Sequence, residues 1–151
     1  MNHDGHDGHD ENNPLASSAY RLRLPSPLTP ETERAMSETI ECAFRVHREL
    51  GPGFLESIYK KAMCFELGRA GLSYQSEQPV SVTYREIQIP GQRVDLIVED
   101  LVVVELKTVV RFDDVHRAQL ISYLRTTGLR AGLLVNFRES LLHRGLKRIV
   151  L

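Results

Sequence analysis

Val94–Lys107 reads VDLIVEDLVVVELK, a mostly apolar stretch that carries acids at Asp95 and Glu105. Apolar residues recur at every second position on either side of Glu99 and Asp100, the spacing of two β-strands joined by a tight turn. A loop over residues 99–101 puts Val94 opposite Leu106, Leu96 opposite Val104 and Val98 opposite Val102, which makes one face wholly apolar. The same register sets Asp95 directly across from Glu105, with Cβ atoms roughly 5 Å apart. A slip of one residue would mix charged and apolar side chains on both faces. Aspartate is disfavoured within such a run, and burying an unpaired charge is costly. Two carboxylates held that close repel unless a cation lies between them, and oxygen ligands of this kind suit Mg²⁺ or Mn²⁺. Glu105 and Lys107, two apart on one strand, share a face. Lys107 beside the ion is expected to orient a water and to neutralise charge building on a phosphate.

Outward from this pair, the period alternates between helix and strand. Residues 31–50 carry Ala35, Ile40, Ala43, Phe44 and Val46 at helical spacing, with Thr29 as the cap, Pro30 at the first position and Gly51-Pro52-Gly53 as the break. A second helix follows, on which Leu55, Ile58, Ala62 and Phe65 recur at three and four residues, closed by Gly68 to Gly71. On spacing alone, Glu56 of this helix pairs with Lys60 four residues on. Val80, Val82 and Tyr84 then begin a set of three strands, with turns expected near Pro90-Gly91 and Glu99-Asp100. Residues 115–127 return to helix, residues 131–137 form an apolar strand and residues 147–151 a last short one. Gln119 and Tyr123 lie one turn apart on the third helix, with His116 on the same side. The order α, α, β, β, β, α, β predicts an α/β (α+β) fold, a central mixed β-sheet flanked by helices.

At 151 residues and 42% apolar content the chain can bury one real core, and it is too short for two ordinary domains. The expected organisation is a disordered tail and proline-rich linker over residues 1–30 and a folded domain over 31–151. Met1 to Asn13 repeats His-Asp-Gly around His3, His6 and His9 and has almost nothing to bury. Cys42 and Cys64 read as buried free thiols, without companions at metal-ligand spacing. The longest apolar run, Leu101 to Val104, is far short of a membrane span, and the N-terminus lacks a signal pattern, so a soluble cytoplasmic protein with no membrane partner is expected. Net charge of −1 argues against coating nucleic acid by bulk attraction. From Glu105 onward, however, nine Lys and Arg stand against four Asp and Glu, a local basic excess suited to phosphates.

These residues resemble the GxxExxY proteins, a group within the PD-(D/E)XK nuclease superfamily. The naming motif matches as Gly53, Glu56 and Tyr59, preceded by Leu50-Gly51-Pro52, and the similarity runs from about Arg34 to the C-terminus. The resemblance implies a restriction-endonuclease-like core. It also implies a metal site formed by a helical Glu56, by Asp95 on one strand and by Glu105-Leu106-Lys107 on the next. Asp95, Glu105 and the Leu106 backbone carbonyl would bind the metal, Lys107 would assist the attacking water and Glu56 would support the shell. A Gln-x-x-x-Tyr motif of the RecB-like branch maps onto Gln119 and Tyr123, which would position the nucleic acid or brace the site. Val94 stands where the superfamily name has Pro. The implied activity is a Mg²⁺- or Mn²⁺-dependent nuclease acting on DNA or RNA. The alternative is a binding module for nucleic acid or protein that keeps the fold without cleaving. Either could act as an oligomer.

Overall fold

The computed structural model describes residues 26–151; the expected tail, Met1 to Asn13, and most of the linker lie outside the described residues. Helix α1 spans Pro30–Leu50. Thr29 accepts the Thr32 N–H with its side-chain oxygen and Pro30 occupies the first turn, where its missing N–H costs nothing. Leu28, inside the expected linker, is already buried in the core. Helix α2 spans Glu56–Arg69. Strands β1 (Tyr74–Tyr84), β2 (Ile87–Val98) and β3 (Val102–Lys107) form an antiparallel run. Helix α3 (Asp114–Thr127) then crosses to β4 (Ala131–Asn136), which pairs parallel with β3. A 3₁₀ turn, Leu142–Gly145, leads into β5 (Leu146–Val150), antiparallel to β4. The sheet order is β1-β2-β3-β4-β5.

Helices cover both faces of the sheet. On one face α1 and α2 pack over Leu96, Val98, Val102, Val104, Leu106, Leu133 and Val135. On the other, Leu120, Tyr123 and Leu124 of α3 pack over Ile97, Val103, Leu134 and Ile149. All six residues of β4 are buried, which is why it reads as a continuous apolar run rather than an alternating one. Helix α3 sits close on this strand at Gly132, where a Cβ would stand 2.9 Å from Leu120. Cys42 and Cys64 are free thiols, the first of them buried. Among the described residues no helix is long and apolar enough to cross a membrane.

Three local expectations need correction. The stripe Leu55, Ile58, Ala62, Phe65 is not the core face of α2: Leu55, Ile58 and Phe65 are exposed, and Tyr59, Met63 and Leu67 are buried. Both sets have helical spacing, so periodicity could not choose between them. The choice is made by Tyr59, whose ring stacks on Phe137 with centroids 4.4 Å apart. The turn between β1 and β2 lies at Arg85-Glu86, with Arg85 in the left-handed region at φ 52°, not at Pro90-Gly91. Pro90 and Gly91 instead fall inside β2, where the pairing with β1 shifts register between Val80 and Val82, so an irregularity absorbs the missing N–H. Finally, Val94 packs with Ile97 and Val103 on the α3 side instead of sharing a face with Leu96 and Val98. The face that carries Glu105 is therefore no open polar surface, because α3 closes it.

Candidate functional site

The β2–β3 ladder follows the register read from the apolar pattern, with Leu96 opposite Val104, Ile97 opposite Val103 and Val98 opposite Val102. One step further, at Asp95 and Glu105, side chains replace the ladder. The Asp95 N–H donates to Glu105 Oε1 at 3.1 Å, and the Leu106 N–H donates to Asp95 Oδ2 at 2.9 Å. Each carboxylate thus holds the other strand's backbone, which is how two acids are fixed side by side at the end of an apolar hairpin. Within a strand the N–H and C=O of one residue face the same side. The Leu106 carbonyl therefore faces β2 and Asp95, while the Lys107 carbonyl faces β4 and accepts the Phe137 N–H.

Glu105 is only 3% exposed. Burial, and then the charge of Asp95, push its carboxyl pKa up to about 8. Lys107 Nζ lies 3.9 Å from Glu105 Oε2, at the mouth of the pair. Glu56, the first residue of α2, joins from the helix side: burial raises its pKa, Asp95 raises it further, and Lys107 and Lys60 act in the opposite sense. The loop before α2 places it there. Tyr59 donates from its hydroxyl to the Gly51 carbonyl at 2.6 Å and accepts the Phe54 N–H at 3.2 Å. Gly53 between them has φ 114°, open only to glycine without strain. The glycine, glutamate and tyrosine of the motif are thus a looped entry, a carboxylate at the start of α2 and the anchor of the loop before it.

From the sheet's other side, Tyr123 of α3 brings its hydroxyl toward the carboxylates. Burial raises its pKa, and Glu105 and then Asp95 add to the rise. Gln119 Nε2 donates to that hydroxyl at 3.1 Å. His116, on the same helix, is accounted for by capping: its Nδ1 accepts the Asp113 N–H while Asp113 receives the N–H groups of Val115 and His116.

Sequence reasoning missed two site residues. Lys60 does not pair with Glu56. Its Nζ lies 3.2 Å from Asp95 Oδ1 and is hydrogen-bonded to Glu77 of β1. Burial disfavours the Lys60 charge, but the bonds and charges of Glu77 and Asp95 outweigh it and raise the pKa. Hydrogen-bonding to Lys60 lowers that of Glu77. The signal for Lys60 was its place one turn after Glu56 on the same helix face; the partner is a matter of tertiary placement. Asn136, 1% exposed, also escaped notice. It bonds both the N–H and the C=O of Val109 and so ties down the segment that leaves Lys107.

Among the described residues no three His, Cys, Asp or Glu side chains stand together at ligand spacing. The oxygen donors that do stand side by side are those of the Asp95 and Glu105 carboxyl groups. They are hard oxygen ligands on a carboxylate pair that favours a cation, a set that fits Mg²⁺ or Mn²⁺. A family model described as the PD-(D/E)XK nuclease superfamily matches residues 33–149. The chain belongs to the PD-(D/E)XK nuclease superfamily. The three helices and five-stranded mixed sheet are consistent with the restriction-endonuclease-like core of that superfamily, and the GxxExxY motif is compatible with it. No curated protein and no solved structure matches the chain.

Proposed function

We propose that this superfamily member is a phosphodiesterase that cleaves DNA or RNA with Mg²⁺ or Mn²⁺, through Glu56, Asp95, Glu105 and Lys107. The observation that carries the reading is the Asp95–Glu105 pair, Glu105 buried and Asp95 half-buried, crossed onto each other's strand and flanked by Lys107 at 3.9 Å. Asp95, Glu105 and the Leu106 carbonyl would hold the ion, which when bound would supply charge neutralisation at the phosphate and a water of lowered pKa. Lys107 would orient the attacking water and neutralise charge building on the phosphate. Glu56 adds negative charge on the helix side. Tyr123, fixed by Gln119, braces the pair from α3 and presents a hydroxyl to the nucleic acid.

The test is incubation with single- and double-stranded DNA and RNA, in Mg²⁺, in Mn²⁺ and in chelator. Cleavage of one class in metal, lost in chelator and in Asp95→Asn, is the expected result. Binding without cleavage in every arm would replace this reading with the non-cleaving module. Because net charge is only −1, nucleic-acid affinity should come from the local basic excess and fall with added salt.

A further inference from the structure

Asp95 has two carboxylate oxygens and one is spent: Oδ2 accepts the Leu106 N–H at 2.9 Å. Oδ1 remains for a cation, and Lys60 Nζ stands 3.2 Å from it. Both side chains are mostly shielded from solvent, Lys60 at 17% exposure and Asp95 at 13%. The same ammonium is hydrogen-bonded to Glu77, whose side chain is 45% exposed. Glu77 is also a non-glycine residue at φ 55°, within a strand whose flanking residues keep their register: Ser76 pairs with Leu96 and Gln78 with Val94, while Glu77 and Asp95 drop out of the ladder. Backbone in that region is disfavoured for a non-glycine residue and persists where its surroundings impose it. β1, β2 and α2 therefore meet in one arrangement in which an ammonium bridges two carboxylates, and one of those carboxylates is the proposed metal ligand.

We propose that Lys60 is a tethered counter-ion that competes with the divalent metal for Asp95, and that Glu77 is the acceptor that keeps Lys60 when the metal displaces it. This rests on the metal-site reading above. Without metal, Lys60 neutralises Asp95 and lets the carboxylate pair persist. With metal, Asp95 Oδ1 turns to the ion and Lys60 stays on Glu77. Lys60 is thus a positioning residue that sets the metal concentration at which the site fills.

The experiment is calorimetric titration of Mn²⁺ into the full chain, with thermal melts in chelator alongside, for the parent, Lys60→Met, Lys61→Met and Asp95→Asn. Lys61 is exposed on the same helix turn and reports the effect of losing one nearby charge without the contact. Lys60→Met should bind Mn²⁺ roughly fivefold more tightly or better, as expected for loss of a competing ion pair, and should melt lower in chelator. Lys61→Met should change affinity by less than about twofold, because an exposed charge is screened. An Asp95-dependent parent response that Lys60→Met leaves unchanged or weakens overturns the competition alone, as does an equal gain in Lys61→Met. A parent response that survives Asp95→Asn overturns the metal site and the competition together. Should Lys60→Met not fold, the ζ-ammonium ¹⁵N resonance of Lys60 in the parent carries the test: it must shift on Mg²⁺ addition, and a resonance unmoved at saturation overturns the proposal.

Discussion

Asp95 and Lys107 differ in what they are asked to do, and substitution separates them. Asp95→Asn removes one proposed metal ligand and the charge that Lys60 neutralises when no metal is bound. Its melting temperature should gain little on adding Mg²⁺. Lys107→Ala keeps both carboxylates, so its melting temperature should still rise with Mg²⁺ while cleavage falls steeply. Thermal melts across a Mg²⁺ titration, paired with cleavage assays, read both; a parental rate in Lys107→Ala would remove that residue from the chemistry. Glu105 adds a pH signature. Its pKa rises from 4.5 in an exposed setting to about 8 in the fold, so between those values the folded chain holds a proton that the unfolded chain has released. Stability fully present below about pH 4.5 is then lost as pH rises through about 8, because the unfolded state binds fewer protons. Melts in chelator should therefore decline across that window, and Glu105→Gln should flatten the decline. A flat parental profile would mean that Glu105 is not buried as an acid.

Among the elements, α2 and the loop before it decide whether Glu56 faces the carboxylates. The loop is held by two hydrogen bonds of a single hydroxyl, Tyr59 to Gly51 and Phe54 to Tyr59. Tyr59→Phe keeps the stack on Phe137 but frees both loop groups, at a cost of about 1–2 kcal/mol. Because Glu56 follows that loop directly, cleavage should fall by more than the stability loss explains when measured well below the melting temperature. Unaltered turnover in a destabilised Tyr59→Phe would uncouple the loop from Glu56. The same anchor explains why periodicity alone does not pick out the core face of α2. Leu55, Ile58 and Phe65 match a helical period as well as Tyr59, Met63 and Leu67 do, and only the position of Phe137, contributed from beyond β4, distinguishes them.

For the whole molecule, the family match begins at residue 33 and the first helix is capped at Thr29. Removing Met1 to Asn13, polar and glycine-interleaved, should therefore shift the melting temperature by less than about 1 °C and leave metal-dependent cleavage intact. A loss of several degrees would show that these residues bury surface against the domain. Metal should act on the same scale. At roughly 100 times its dissociation constant it would add about 2.7 kcal/mol to stability, provided the unfolded chain does not bind it.

What the sequence determined by itself is local or alternating. The β2–β3 register and the confrontation of Asp95 with Glu105 follow from a period of two with one apolar face, because a slip of one residue exchanges every side chain between faces. The Thr29 cap, the apolar β4 and the order of the elements follow equally from short-range chemistry. Tertiary structure decided whatever depends on a partner distant in the chain. Lys60 spends its charge on Asp95 and Glu77, 35 and 17 residues away, rather than on Glu56. The Glu105 face is closed by α3. Pro90 sits within a strand because the β1–β2 pairing shifts register opposite it, between Val80 and Val82. Helical and strand periods state which residues can share a surface; which surface meets which is settled by the packing of elements whose sequences carry no mark of one another.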